Sequence, residues 1–307
     1  QAQLPPVGYA VSPALSPEYI ARYGTVWSHT LSEVVRQQSD SGILHNATLI
    51  RRLIESGTAD IPQLDLRFPD LVRIDSRELI DEIDTCYGRY GQSETAVISR
   101  SNKRANHYNQ GIRQTILDYE EEIGSGDMVM VVKNNYHYVE LDPEARMDFI
   151  ANGDIARVHR IYRTREKYGF HFAYAELEFP DYDDYRLECW LLLDVLHSPA
   201  PSLSREQQSR LFLAVEKEYA DITQKGKRYK AVMADEFYCA LQVKFAYAIT
   251  CHKAQGGQWS AIFLDIVLFG EEPMTLELLR WLYTAVTRAT ERLYLVNYDD
   301  RFFLENE

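Results

Sequence analysis

Apolar residues recur at the spacing of amphipathic helices in several parts of the chain. The pattern predicts helices over residues 28–54, 76–87, 204–219 and 276–289. Ser41-Gly42 interrupts the first stretch, so two helices are expected there. Another helix is expected to begin within residues 100–109, with Ser99 or Ser101 as its cap.

Short apolar runs alternate with these helices. Thr95–Ser99 is an apolar run bounded by polar residues, which is typical of a buried strand in a parallel sheet. The same character returns near the C-terminus, in residues 244–250, 259–267 and 293–296. Closely spaced short runs separated by turns are typical of a small antiparallel barrel. Such runs occupy residues 127–133, 155–162, 170–179 and 188–195.

These changes of pattern define the expected domain organisation. An α/β domain begins in residues 1–123 and is completed by residues 242–307. Between its two parts lies an inserted barrel with a helical arm, in residues 124–241. A strand that leads into a helix, as around Thr95–Ser99, is the unit from which α/β domains are built.

The charge balance changes the picture only when its distribution is considered. The 307 residues include 33 Lys and Arg against 46 Asp and Glu, a net charge of −13. Such a balance disfavours nucleic acid as a partner. However, basic residues cluster in residues 97–113, 155–169 and 223–233, which favours nucleic-acid binding. We therefore expect weak, strongly salt-sensitive binding by this chain alone.

Cysteine usage and hydropathy bear on the compartment. The four cysteines form no CxxC pair, so we expect no zinc site and no other metal site. Sparse cysteines fit a reducing compartment, and we expect the cytoplasm. The chain has no apolar run near the roughly 18–20 residues that span a bilayer, and no signal peptide, so no membrane partner is expected.

The first segment with candidate chemistry is the turn at residues 250–259, between two buried strands. It carries two glycines, a lysine, a histidine and two glutamines. Glycines let the backbone approach a ligand closely, and Thr, His and Lys side chains donate to phosphate oxygens. The segment lacks the GxxxxGK[ST] pattern of a Walker A loop. A plain glycine turn with solvated Lys and Gln remains the alternative.

Three further segments carry weaker signals. Arg288 lies near the end of an apolar helix, where it either complements the helix dipole or acts as an arginine finger on a phosphoryl group. Residues 3–8 form a proline-rich loop, and Arg36-Gln37 lies on a predicted helix. Neither residues 3–8 nor Arg36-Gln37 is specific when taken alone.

Together and in this order, the segments resemble the C-terminal half of superfamily 1 DNA helicases, with a UvrD-type C-terminal helicase domain. The resemblance is greatest to the RecD-like and Dda-like branch of 5′→3′ translocases. Residues 3–8 are similar to the end of motif III, Arg36-Gln37 to motif IV, 250–259 to motif V and 283–289 to motif VI. Gly126-Asp127 through Asn134-Asn135-Tyr136, and Asn152-Gly153-Asp154, resemble the segments that bracket the family's SH3-like insertion. The resemblance implies a RecA-like parallel-sheet domain interrupted by a small SH3-like β-barrel with a helical arm.

The resemblance also implies roles for individual residues. Gln3, Arg36 and Arg288 would act on the γ-phosphate of ATP. Gln255, Gly256 and Gln258 would lie near the nucleotide, although many relatives have Glu at position 258. Single-stranded DNA would contact Thr250, His252, Lys253, Asn102 and Lys103.

The implied function is that of an ATP-dependent DNA helicase whose ATP and Mg²⁺ are held mainly by a preceding RecA-like domain. Subunits of a recombination or repair complex are further expected partners. This chain alone lacks the Walker A and B segments, so we expect it to be inactive. The alternatives are a non-catalytic nucleic-acid or partner-binding module, and a subunit of an exonuclease V-type complex. Intrinsic nuclease activity is disfavoured, because no carboxylate cluster has a metal-binding spacing.

Overall fold

The structure is a computed structural model that describes residues 2–9, 12–22, 27, 41–266 and 273–304. Its strands are β1 (Leu71–Ile74), β2 (Thr95–Ser99), β3 (Met128–Val131), β4 (Ile155–Lys167), β5 (Phe170–Phe179), β6 (Tyr185–Leu192), β7 (Leu241–Phe245), β8 (Ala248–Thr250), β9 (Trp259–Asp265) and β10 (Ala289–Val296). Its helices are α1 (Pro17–Arg22), α2 (Gly42–Ser56), α3 (Leu79–Tyr90), α4 (Asn102–Thr115), α5 (His137–Glu140), α6 (Arg205–Glu218), α7 (Lys225–Met233) and α8 (Leu276–Val286). The chain divides into two compact units, Gln1–Arg100 with Ile249–Glu307, and Ser101–Ala248.

The first unit is built on a five-stranded sheet in the order β1-β10-β9-β2-β8. The pairings of β1 with β10, β10 with β9, and β9 with β2 are all parallel. Every residue of β2 is buried, as parallel strands covered on both faces require. Phe263 of β9 and Tyr294 of β10 stack with their ring centroids 4.3 Å apart. The predicted α/β fold class is confirmed.

Helix α2 begins where the sequence breaks at Ser41-Gly42. The Ser41 hydroxyl accepts from the Leu44 amide, and the Asp70 carboxylate accepts from the amides of Gly42 and Ile43. A carboxylate at a helix N-terminus satisfies unpaired amides and complements the helix dipole. A Cβ at Gly42 would lie 2.2 Å from the Cβ of Phe68, so only glycine fits there. The helix predicted before this break lies outside the described residues.

The second unit contains a closed barrel of β3-β4-β5-β6-β7. Its pairings are antiparallel except for that of β6 with β7, which is parallel. Helices α6 and α7 pack on an apolar cluster that includes residues of β5 and β6, in which Phe170, Trp190 and Phe237 are buried with Leu211 and Val232. Helix α6 begins with a capping box formed by Ser204 and Gln207. The predicted barrel with a helical arm is present.

The entry and exit of the barrel are tied together at one buried carboxylate. Asp127, immediately before β3, accepts two bonds from the Arg113 guanidinium of α4, at 2.8 and 2.9 Å. The same carboxylate accepts from the Tyr247 hydroxyl, just after β7, at 2.9 Å. The side chains of Arg113 and Asp127 are 6% and 0% exposed, so the ion pair is shielded from water. Asn109 of α4 adds bonds to the backbone of Phe245 and Ala248.

The elements depart from the sequence pattern in a few places. Residues 244–250 are not the single sheet strand that their apolar character predicts: β7 belongs to the barrel, and only β8 joins the parallel sheet. Between β7 and β8, the Ala246 amide donates to the Met128 carbonyl and the Tyr247 hydroxyl donates to the Asp127 carboxylate, and the chain turns there. Strand β1 and helix α7 are also present, although neither was predicted. The domain boundaries after residues 123 and 241 stay a prediction.

Among the described residues, no helix combines the length and the apolar character that crossing a membrane demands.

Candidate functional site

The turn after β8 is the centre of the site in the first unit. Its backbone folds tightly, because the Thr250 carbonyl accepts from the amides of Lys253 and Ala254. Cys251 and Ala254 are fully buried and anchor the turn, and the Cys251 thiol donates to the Trp281 carbonyl of α8 at 3.4 Å. With its buried residues turned inward, the segment exposes His252, Gln255 and Gln258 to solvent.

The two glycines of this turn serve different purposes. Gly256 adopts a left-handed φ of +93°, and a Cβ there would meet no atom within 4 Å. Its backbone is therefore open to close approach by a ligand. At Gly257 a Cβ would lie 2.5 Å from the Trp259 ring, so glycine is required by packing.

The N-terminal segment docks onto this turn and onto α8 through the backbone of Leu4. The Leu4 amide donates to the Thr284 hydroxyl at 2.9 Å, and the Leu4 carbonyl accepts from the Gln255 side-chain amide at 2.9 Å. Leu4 and Thr284 are both buried, and the Thr284 hydroxyl in turn donates to the Arg280 carbonyl at 2.7 Å. We call this set of contacts between Leu4, Gln255 and Thr284 the Leu4 junction. It leaves Gln3, the neighbour of Leu4, exposed.

Arg288 connects the end of α8 to the glycine turn. Its guanidinium donates to the carbonyls of Thr284 and Gly257, both at 3.0 Å, and to the Thr287 hydroxyl at 3.1 Å. The Arg288 carbonyl accepts from the Trp259 amide at 3.0 Å. The residue is only 2% exposed, so its position is fixed by these contacts. This placement differs from that of a solvated arginine that merely complements a helix end.

Burial shifts the ionisation of two groups in the turn. It raises the pKa of the Cys251 thiol to about 12, so this cysteine stays protonated and unreactive near neutral pH. Desolvation lowers the pKa of the Lys253 ammonium below its ordinary value. An anion beside Lys253 would restore the preference for the charged form, because opposite charges stabilise each other.

The remaining predicted site residues are Asn102, Lys103 and Arg36. Asn102 and Lys103 occupy the first turn of α4 in the second unit, where the Ser101 hydroxyl accepts from the Arg104 amide as the helix cap. Arg36 lies outside the described residues. Across the described part of the chain, no group of three or more His, Cys, Asp or Glu side chains could hold a metal ion.

Comparison with known families bears on this part of the chain. Residues 245–296, which contain the glycine turn, α8 and Arg288, match the family model of the UvrD-like helicase C-terminal domain. This segment is similar to UvrD-like helicase C-terminal domains. The match confirms the predicted resemblance to the C-terminal domain of superfamily 1 helicases. No curated protein has significant similarity to the sequence.

Several solved helicase structures are similar to the chain at low identity. The Pif1 helicase from Candida albicans is 13% identical, with a TM-score of 0.39 over 99% of this chain and 64% of that one. The Pif1 helicase from Bacteroides in complex with ADP-AlF3 and ssDNA is 12% identical, with a TM-score of 0.35 over 90% and 53%. A structure of two coordinating Pif1 helicases at forked dsDNA is 12% identical, with a TM-score of 0.34 over 89% and 51%. The chain thus spans between about half and two thirds of the length of these helicases.

The segment at residues 245–296 contains one structural residue that sequence reasoning missed. Thr284 was seen only as part of the motif VI segment, yet it contacts both Leu4 and Arg288. The available signal was a hydroxyl in an otherwise apolar helix, because a buried polar group needs a hydrogen-bond partner. Nothing in the local sequence identifies the distant amide of Leu4 as that partner.

Replacing Thr284 with valine should destabilise the first unit by about 1–3 kcal/mol, because the buried Leu4 amide loses its acceptor while the side-chain shape is kept. Urea unfolding of the purified chain would measure the difference. Thr284→Ser keeps the hydroxyl and should retain most of the stability. Thr48→Val is the matched control, since the Thr48 hydroxyl donates only to the Leu44 carbonyl of its own helix. A valine variant at position 284 as stable as wild type would contradict the importance of the Leu4 junction.

Proposed function

We propose that this chain is the C-terminal part of an ATP-dependent DNA helicase or translocase. It would supply cations for ATP hydrolysis and part of the track for single-stranded DNA. The observation that carries the proposal is the Leu4 junction with Arg288 beside it, which joins the segments similar to motifs III, V and VI in one hydrogen-bonded cluster. The 5′→3′ direction and the RecD-like branch follow from the sequence resemblance alone.

Arg288 and Arg36 are the proposed arginine fingers. Phosphoryl transfer spreads negative charge over the γ-phosphate oxygens, and a fixed guanidinium stabilises that charge. The carbonyls of Thr284 and Gly257 hold Arg288 in place, which supports a preorganised role. To bind a phosphate, the guanidinium would give up a hydrogen bond to one of these carbonyls. Gln3 would sense the same phosphate from the exposed side of the Leu4 junction.

The residues around Gly256 fit a nucleotide that approaches from solvent. The open backbone at Gly256 and the exposed side chain of Gln258 support contact with ATP. Gln255 would act differently from its predicted direct role, because its amide already donates to the Leu4 carbonyl. We propose that Gln255 links nucleotide contact to the position of Gln3. Mg²⁺ would be bound mainly by the phosphate-holding domain that the resemblance implies.

Single-stranded DNA is the proposed second ligand. Thr250, His252 and Lys253 form one exposed or half-exposed rim of the glycine turn. Hydroxyl, imidazole and ammonium groups donate to phosphate oxygens, which would follow the turn. Asn102 and Lys103 at the start of α4 offer an amide and a cation of the same kind. The alternative, a non-catalytic nucleic-acid module, uses the same contacts without ATP.

The purified 307-residue chain should show no ATP hydrolysis above background, with or without single-stranded DNA. The reason is that it carries no Walker A sequence to bind the nucleotide phosphates. A phosphate-release assay would test this, with the longer natural protein as the positive control. DNA-stimulated turnover by the 307 residues would overturn our assignment of the phosphate-binding role to another domain. An inactive longer protein that still binds DNA would favour the non-catalytic module.

A further inference from the structure

A cleft in the second unit is lined by none of the residues that are similar to motifs III to VI. It is formed between the segment that follows β3, residues 133–140, and helix α7 of the arm. Its volume is about 450 Å³. Its two walls present Lys133, Tyr136 and His137 on one side, and Tyr229, Lys230 and Met233 on the other.

The cleft offers aromatic surface to solvent. Tyr136 is 51% exposed and Tyr229 is 54% exposed, although both are large rings. Each is supported from behind: the Tyr136 ring stacks on Phe149 at 5.1 Å, and the Tyr229 ring lies 5.9 Å from that of Phe212. Rings that are held in place while exposing surface are suited to stacking on a planar ligand.

The charge of the cleft favours an anion. Helix α7 carries Lys225, Lys227, Arg228 and Lys230 and no acidic residue. Lys133 adds a cation on the opposite wall, against one acidic lining residue, Glu140. Burial lowers the pKa of the His137 imidazole, so that it is mainly neutral near pH 7. Asp235 and Glu236 also act electrostatically on His137, so the attraction for an anion is local to the ammonium groups of Lys133 and Lys230.

The wall opposite α7 is held rigid by its own hydrogen bonds. The side-chain amide of Asn135 donates to the Cys239 carbonyl at 2.7 Å. Its side-chain oxygen accepts from the backbone amide of His137 at 3.1 Å. Asn134 accepts from the Asn152 amide at 2.8 Å. These contacts explain the sequence segments Asn134-Asn135-Tyr136 and Asn152-Gly153-Asp154, which the site in the first unit leaves unused. The cleft is thus present before any ligand binds.

We propose that this cleft holds an unstacked base of single-stranded DNA between Tyr136 and Tyr229, with Lys133 and Lys230 on the flanking phosphates. This inference rests on the proposed function, because it adds a contact in the barrel unit to the DNA-binding residues of the glycine turn. Bases stack on aromatic side chains regardless of sequence, and lysines follow the backbone. An acidic peptide would use the lysines but would leave the exposed tyrosine rings without a planar partner.

Fluorescence anisotropy of labelled oligothymidine binding to the 307-residue chain would test the cleft. Tyr229→Leu should weaken binding about tenfold, the effect of losing one base–aromatic stack. Lys230→Gln should weaken binding and lower the salt slope by about one. The matched controls are Tyr19→Leu and Lys217→Gln, because Tyr19 is an exposed tyrosine on α1 and Lys217 is exposed on α6, and neither lines the cleft or lies in a basic run. Both controls should bind as wild type does.

The same assay with an abasic oligonucleotide separates base stacking from phosphate contact. Wild type should bind it about as weakly as Tyr229→Leu binds oligothymidine, and Tyr229→Leu should lose little more. Normal oligothymidine binding by both cleft variants would overturn the cleft proposal while leaving the proposed function intact. Absence of DNA binding by wild type would overturn both. Loss of binding to a glutamate-rich peptide, with DNA binding unchanged, would assign the cleft to a peptide instead.

Discussion

If the chain belongs to a longer helicase, as the proposed function implies, Arg288→Ala in that protein should lower DNA-stimulated ATP hydrolysis about 10³-fold or more, the usual effect of removing an arginine finger. The loss should fall on turnover rather than on ATP affinity, because the charge that Arg288 would stabilise develops in the transition state. Steady-state kinetics, with nucleotide affinity measured separately by fluorescence, would distinguish the two. Arg288→Lys should also lose most activity, because an ammonium cannot reproduce the planar donor set of a guanidinium.

Arg280→Ala is the control for this experiment. Arg280 is a half-buried residue of α8. Its backbone carbonyl, not its side chain, accepts from the Thr284 hydroxyl. Its removal should leave hydrolysis within a few-fold of wild type. Thermal unfolding of all three variants would show whether the loss at position 288 reflects catalysis or folding. Near-normal turnover by a folded Arg288→Ala protein would remove Arg288 from its proposed role.

Asp127→Ala should destabilise the barrel unit by about 3–5 kcal/mol, the usual cost of leaving one partner of a buried ion pair without the other. The Arg113 guanidinium would remain buried, and the hydroxyl of Tyr247 and the amide of Gly124 would lose their acceptor. Hydrogen exchange read by mass spectrometry would localise the effect, with faster exchange across β3 to β7. Exchange in the strands of the first unit is the internal reference.

Asp183→Asn provides the control for this second variant, because asparagine removes the charge and tolerates the left-handed φ of +55° at this position. The Arg146–Asp183 pair lies in the same unit at 3.6 Å, but its side chains are 54% and 90% exposed. Because water screens such a pair, its loss should cost no more than about 1 kcal/mol. Equal stability effects at positions 127 and 183 would show that burial of the Arg113–Asp127 pair is unimportant.

The sequence predicted those elements whose burial pattern is strong. Strand β5 coincides with the predicted residues 170–179, and α6 lies within the predicted 204–219, because their apolar spacing matches the faces that they bury. Helix α7 was recognised only as a basic run, since it has few apolar positions and buries only Val232. Residues 244–250 were assigned to one strand because apolar runs look alike in a sheet and in a barrel.

The site was predictable as separate segments but not as an assembly. The glycine turn and the helix that ends before Arg288 were recognised from residue types in order. The Leu4 junction was not, because the bond from the Leu4 amide to Thr284 joins residues 280 positions apart. The backbone of Leu4 forms one side of both contacts, and backbone donors and acceptors leave no signal in the identity of the residue.

The buried Asp127 carboxylate, which lies where the chain enters and leaves the barrel, has a consequence for how the sequence of such a chain can change. Because Asp127 and Tyr247 bond each other, the polypeptide returns to the place it left after more than a hundred residues. The residues between these two positions form an insertion whose ends are adjacent. Such an insertion can be replaced by another without changing the path of the rest of the chain. Substitution of Arg113, Asp127 or Tyr247 would disturb both ends of the barrel at once, whereas changes elsewhere in the barrel would leave the two ends joined.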